Sequence, residues 1–270
     1  MACSAAELGN KLDIWEGVYR SFPDTGCGDQ LDRHPVWLRK CEAAARLELE
    51  CLNAGKPGPG LLQPRNLILP IVVPLLAQDS KLRILDFGGG LGTGYFALKS
   101  ARTTNARFEI DVVETAKTCE LAGKVLPPLP DLRFLNQLPA RPQKYDVIHA
   151  ASSLHYVDDW RGLLAKFAEL RPKYLVVTEL TAGPIASFVT TQRYYDYRIP
   201  VWFWSLDEFC GAARTMGFHR IVAVPHLPTI RGAQMAPPMD NFPREFRLDS
   251  FQNMVFVSDA SVADDAGALA

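Results

Sequence analysis

ILDFGGGLGTGY, residues 84 to 95, runs the end of an apolar strand into five glycines within seven positions. Glycine weakens strands and helices alike, so this density marks a backbone that turns sharply and comes close to a ligand. A strand that breaks into a glycine turn and then a helix is the opening unit of an open parallel sheet. There the ligand sits beyond the carboxyl ends of the strands.

The residues that follow carry the same alternation. LRILDF (82 to 87), RFEIDVVE (107 to 114), LRFLNQL (132 to 138), YDVIHAAS (145 to 152) and KYLVVTEL (173 to 180) read as buried strands. Amphipathic helices fall between them, over 116 to 125 and in DDWRGLLAKFAEL (158 to 170), the latter begun by an aspartate cap. Strand alternating with helix predicts a parallel sheet with right-handed crossovers. SLDEFCGAARTMGF predicts one more helix, with Ser205 and Glu208 as a capping box and Gly217 as the stop. HRIVAVP (219 to 225) and QNMVFVSD (252 to 259) then form two strands without a helix between them, which implies an antiparallel pair at one sheet edge.

Upstream of the sheet, residues 1 to 62 show no strand alternation, and PVWLRKCEAAARLELECL (35 to 52) has helical spacing. The expectation is a helical N-terminal cap over 1–62, a main domain over 63–260 and a disordered tail over 261–270. PRNLILPIVVPLLAQ reads as a helix interrupted by Pro70 and Pro74.

Lys and Arg number 29 against 30 Asp and Glu, so no basic excess points to nucleic acid or an anionic membrane. The first residues lack a signal-peptide pattern, and LILPIVVPLLA is too short to span a bilayer. None of the six cysteines has metal-ligand spacing. A cytoplasmic chain with no nucleic-acid or membrane partner and no metal is expected.

The glycines discriminate between two ligand classes. The dinucleotide fingerprint G-x-G-x-x-G/A fails from Gly88, because Thr93 stands where the third small residue belongs, although a shifted match runs through Gly92, Gly94 and Ala97. The pattern acid-x-G-x-G-x-G fits directly through Asp86, Gly88, Gly90 and Gly92. On these residues ILDFGGGLG resembles motif I of the class I S-adenosylmethionine (SAM) dependent methyltransferases. The resemblance implies a Rossmann-like α/β fold, a mostly parallel seven-stranded sheet closed by an antiparallel edge hairpin. It also implies SAM as cofactor, Glu114 on the ribose hydroxyls, and Asn136 and Gln137 beside the adenine.

IWEGVYRSF (14 to 22), SSLHYVDDW (152 to 160) and FVTTQ through IPVWFWSLDEF (188 to 209) are similar to a methyltransferase subfamily of bacterial polysaccharide and natural-product clusters. The fold is also similar to azetidine-2-carboxylate synthases, which close SAM on itself. Methyl transfer to a sugar or natural-product intermediate therefore stands beside SAM cyclisation. A non-catalytic SAM-binding protein and a nicotinamide oxidoreductase are the remaining readings.

For the chemistry, His155 after the fourth strand is the candidate base, and His149, inside that strand, reads as a core residue. Tyr156 is placed to close over the sulfur, and Glu179, ending the fifth strand, to orient an acceptor. Trp15, Tyr19, Tyr195 and Trp202, with Tyr194 and Trp204, form a pool of aromatic pocket candidates, and Arg193 and Arg198 are candidate anion receptors.

Overall fold

The computed structural model describes residues 13–76, 81–101, 107–139 and 144–259. The tail expected over 261–270 lies outside them.

The central sheet contains seven strands: β2 (Leu82–Phe87), β3 (Phe108–Val113), β4 (Leu132–Leu135), β5 (Val147–Ala151), β6 (Tyr174–Leu180), β10 (Phe218–His226) and β13 (Phe251–Ser258). Their order is β10-β13-β6-β5-β2-β3-β4, with β4, β3, β2, β5 and β6 mutually parallel. β13 runs antiparallel to both β6 and β10, the edge pair implied by two strands without an intervening helix. The chain leaves β2 toward β3 on one side and returns through β5 on the other, so the crevice between β2 and β5 is the switch point where a ligand fits.

Helices cover both faces. Leu85, Ile148 and Leu175 pack against α5 (Trp160–Glu169) and α6 (Leu206–Thr215). Ile84, Val112, Val147 and Val176 pack against α1 (Pro35–Asn53), α2 (Ile68–Leu76), α3 (Thr93–Ser100) and α4 (Ala116–Val125). Pro70 falls in the first turn of α2, where a missing donor costs no helical bond, and Pro74 lies inside it. Asp159 accepts from the Gly162 amide at 2.9 Å to start α5, and Ser205 accepts from the Glu208 amide at 3.4 Å to start α6. Gly217 follows α6 at φ 81°, the left-handed stop.

The N-terminal region is not wholly helical, contrary to the expectation for 1–62. β1 (Trp15–Tyr19) is a strand, and it pairs antiparallel with β8 (Phe188–Tyr194). β8 turns through Tyr195, at φ 55°, into β9 (Tyr197–Ser205), which also meets the short β7 (Ala182–Gly183). This second sheet, β1-β8-β9-β7, encloses its own apolar cluster around Trp15, Phe188, Phe203 and Phe251. A small ribbon, β11 (Thr229–Ile230) with β12 (Ala233–Gln234), completes the described strands. No described helix is long and apolar enough to cross a membrane.

Candidate active site

Directly after β2 the chain takes left-handed backbone at Gly88 (φ 70°), Gly90 (φ 59°) and Gly92 (φ 87°). Side chains adopt this region at a cost of about 1–2 kcal/mol, so glycine is favoured at all three. At Gly88 space also forbids a side chain, since a β-carbon would lie 2.4 Å from the Ser153 Cβ. Gly92 is the N-cap residue of α3.

Glu114, one residue past β3, reaches across to this turn. Its Oε1 accepts from the Gly90 amide at 2.9 Å, and its Oε2 accepts from the Thr115 amide at 3.2 Å. Burial pushes its carboxyl up to about 7, helped by the nearby Asp32 and Asp86 charges and opposed by those two amides.

The turn and Glu114 open into one cavity of about 1320 Å³. Asn136 and Gln137, just after β4, line the same side. The roof comes from the segment between β1 and α1, including Phe22 and Asp32, from α1 through Cys41, and from Gln192 and Tyr194 on β8.

The expected site residues divide. Asp86, Gly88, Gly90, Glu114, Asn136, Gln137 and Tyr156 all line this cavity. The Tyr156 hydroxyl donates to Gln192 Oε1 at 3.0 Å, and burial holds its phenol well above the usual pKa, so it stays protonated. His155 does not line the cavity: it is buried, its ring tilted 53° to the Tyr156 ring with centroids 4.2 Å apart, and burial lowers its pKa to about 4 despite the Glu179 charge.

Glu179 stands behind the wall. It sits at φ 52°, and its carboxylate contacts His226 Nε2 at 3.2 Å and Arg65 Nη1 at 3.7 Å. Burial would raise its pKa, but the His226 and Arg65 contacts outweigh it and hold the group below its ordinary value. Its partner Arg65 does line the cavity.

The aromatic candidates are corrected more broadly. Trp15 is core, edge-on to Phe203 at 5.4 Å, because its side of β1 faces the second cluster. Tyr19 and Trp202 lie outside the lining, the latter donating its indole N–H to the Asp158 carbonyl at 3.1 Å. Tyr195 is exposed at the hairpin turn, where it stacks on His34. Arg193 and Arg198 pair with Glu16 at 3.0 and 3.5 Å, away from the cavity.

Sequence reasoning missed Arg65, Asn66 and the place of His149 in the cavity wall, whereas Tyr194, one of the aromatic candidates, does line the cavity. His149 is buried in β5, as expected for a core residue, yet it also lines the cavity. Its Nδ1 lies 2.8 Å from Asp86 Oδ1. Its Nε2 and Asp86 Oδ2 are buried without a hydrogen-bond partner.

The shifted fingerprint at Gly92, Gly94 and Ala97 falls on the cap and body of α3, past the turn, so the oxidoreductase reading has no glycine turn of its own. Among curated proteins none is detectably similar in sequence. Among solved structures, the fold is similar to the glycopeptide N-methyltransferase MtfA complexed with SAM (TM-score 0.51, 11% identity, covering 73% of this chain and 95% of that one). It is also similar to a candidate SAM-dependent methyltransferase of Listeria monocytogenes (0.51, 11%, 72% and 98%). A chain from a Haloferax volcanii complex between a methyltransferase activator and a candidate methyltransferase gives a TM-score of 0.53 at 14% identity, covering 85% of this chain and 97% of that one. The sequence itself matches the methyltransferase domain over residues 63–223, more than half of its length. The chain belongs to the methyltransferase domain family and is a transferase enzyme.

Proposed function

We propose that this enzyme transfers a methyl group from SAM to a small molecule, a sugar or natural-product intermediate, held in the same cavity. The carrying observation is continuity. One cavity of about 1320 Å³ joins the glycine turn and Glu114 to Tyr156 and the hairpin. Single-ligand pockets run to roughly 300–1,000 Å³, so this one suits a donor and a modest acceptor together.

The residues present fit the donor. Glu114 offers a carboxylate to two ribose hydroxyls, Asn136 and Gln137 border the adenine side, and the side-chain-free turn admits the methionine portion. The donor supplies a methyl carbon already activated by a positive sulfur. What remains for the chain is alignment and exclusion of water, effects worth roughly 7–11 kcal/mol when fully realised. The roof of α1 and β8 excludes water. The Tyr156 ring, kept neutral by burial, offers a face to a cation, an attraction of about 0.5–2 kcal/mol.

Cyclisation of SAM to azetidine-2-carboxylate and methylthioadenosine is the second reading. It is favoured by the unpartnered acceptor His149 Nε2 in the cavity wall, since an attacking α-amine must first give up a proton. Incubating the purified chain with SAM, alone and with candidate acceptors, separates the two by mass spectrometry. Methylated acceptor with S-adenosylhomocysteine supports transfer. Methylthioadenosine and a four-membered imino acid from SAM alone overturn it in favour of cyclisation.

A further inference from the structure

We propose that the methyl acceptor carries an oxyanion, a carboxylate or a phosphate, and that Arg65 and Arg231 receive it at the end of the cavity away from the glycine turn. The proposal rests on the methyl-transfer reading of that cavity and names the chemistry of the molecule methylated.

Sheet topology separates the two ends. The glycine turn and Glu114 follow β2 and β3, whereas Arg65 faces Glu179 at the end of β6. β6 and β3 are three strands apart, about 14 Å at the usual spacing. β10 and β6 both run antiparallel to β13, so β10 ends at the same edge as β6, where His226 meets Glu179. The β11–β12 ribbon starts three residues later, and its Thr229 and Arg231 line the cavity together with Ile199 and Pro200 of β9.

Both guanidinium groups have donors to spare. Arg65 Nη1 lies 3.7 Å from Glu179 Oε2, beyond hydrogen-bond reach, so the carboxylate steadies the side chain without using its N–H fork. Arg231 makes no hydrogen bond, ion pair or ring contact among the described residues. Its backbone is left-handed at φ 49°, followed by Gly232 at φ 83°, in a two-residue turn closed by the Ile230–Ala233 pair. Such turns favour asparagine or aspartate before the glycine, and a long side chain held there at a cavity edge marks a functional demand.

Charge then narrows the ligand. Glu179 cancels one of the two positive charges and leaves the other. The lining lysine, Lys40, lies over the Tyr194 and Tyr195 rings at 5.7 and 5.4 Å. Among the lining acids, Asp32 and Asp86 act on Glu114 at the donor end, Glu48 accepts from the Gly60 amide and Asp29 from the Arg198 amide. The remaining one, Asp158, is exposed. An oxyanion offers lone pairs to several N–H groups at once and matches an arginine fork, whereas a neutral hydroxyl leaves the positive charge unanswered.

Calorimetric titration of the full chain saturated with S-adenosylhomocysteine tests the pair. The probes are inorganic phosphate and acetate at constant ionic strength. The proteins are wild type, Arg65→Gln, Arg231→Gln and a control for general loss of charge, Arg46→Gln, whose side chain pairs with Glu42 on α1. Loading with S-adenosylhomocysteine shows that each variant folds. We expect about one equivalent of phosphate or acetate to bind wild type and the control alike, and to bind about tenfold more weakly in either cavity variant. The tighter probe identifies the acceptor group as phosphate or carboxylate. No saturable binding of either anion by loaded wild type, an equal loss in the control, or binding that survives both cavity substitutions overturns the receptor and leaves the methyl-transfer reading standing. So does an anion that displaces S-adenosylhomocysteine, or a cavity variant that binds methylthioadenosine but no longer S-adenosylhomocysteine, since the arginine then serves the donor's carboxylate. Failure of wild type to load, or turnover of SAM alone to methylthioadenosine, overturns the methyl-transfer reading and the receptor with it.

Discussion

Glu114 Oε1 accepts from the Gly90 amide at 2.9 Å, so the end of β3 and the glycine turn after β2 are tied together by the residue assigned to the ribose. Its other oxygen accepts from Thr115, which leaves each oxygen with a further lone pair for a ligand hydroxyl. Glu114→Ala removes the acceptor and frees the Gly90 amide. We expect SAM affinity to fall by roughly 1–3 kcal/mol, read by calorimetry; unchanged affinity would reject the ribose assignment.

The same carboxyl sets a pH dependence. Its pKa of about 7 is raised above the ordinary carboxylate value, so without ligand the folded state favours the protonated form. The contribution of Glu114 to stability is therefore lost as pH rises from about 4.5 through 7. Ribose hydroxyls favour the charged form. S-adenosylhomocysteine should accordingly bind more weakly as pH falls below about 7, with proton release on binding near that pH, and Glu114→Gln should flatten both effects. Titrations in buffers of different ionisation enthalpy give the proton count. A flat wild-type profile would contradict the assignment.

Two glycines of the turn should respond differently to alanine. Gly88→Ala meets Ser153 Cβ at 2.4 Å and keeps an unfavourable φ, so we expect a loss of about 2–5 kcal/mol in denaturant unfolding. At Gly90 the nearest atom is Thr93 Oγ1 at 3.9 Å, and the expected loss is only about 1–2 kcal/mol. Equal losses would mean that contact with the loop after β5 does not restrict the turn.

His155 should matter for acid stability. Burial lowers its pKa to about 4, below the unfolded value of 6.5, so its stabilising contribution is present above 6.5 and is lost as pH falls toward 4. That loss amounts to about 3 kcal/mol across the window. His155→Phe keeps a ring against Tyr156 and should be less acid-sensitive there, as read from melting temperatures at pH 7 and 4.5. Parallel pH profiles for the two proteins would show that the histidine is not held neutral.

The central sheet was legible because its signals are local. Val and Ile runs mark β3, β5 and β6, α4 spans the expected 116 to 125, and Ser205 with Glu208 starts α6. The second sheet was not legible for equally local reasons. β1 is five residues long with Gly17 at φ 82° inside it, so no alternation develops. The β8–β9 turn uses Tyr195 and Asp196 where a hairpin usually signals itself with asparagine or aspartate followed by glycine. With that sheet missed, its aromatics all looked equally available for a pocket, although Trp15 and Trp204 are core while Tyr194 does line the cavity. The pairing of Asp86 with His149 depends on the register of β2 against β5, which no spacing of 63 residues encodes.

The bond between β1 and β8 also dictates when the chamber can shut during synthesis. The Thr190 and Thr191 hydroxyls hold the Glu16 carbonyl across separations of 174 and 175 residues. The first strand therefore leaves the ribosome long before its mate and waits with its hydrogen-bonding edge in water. Most of the parallel core and the glycine turn precede the hairpin in the chain. A nascent polypeptide that stops short of the hairpin thus lacks Gln192 and Tyr194, and the last assembly step adds that part of the lining.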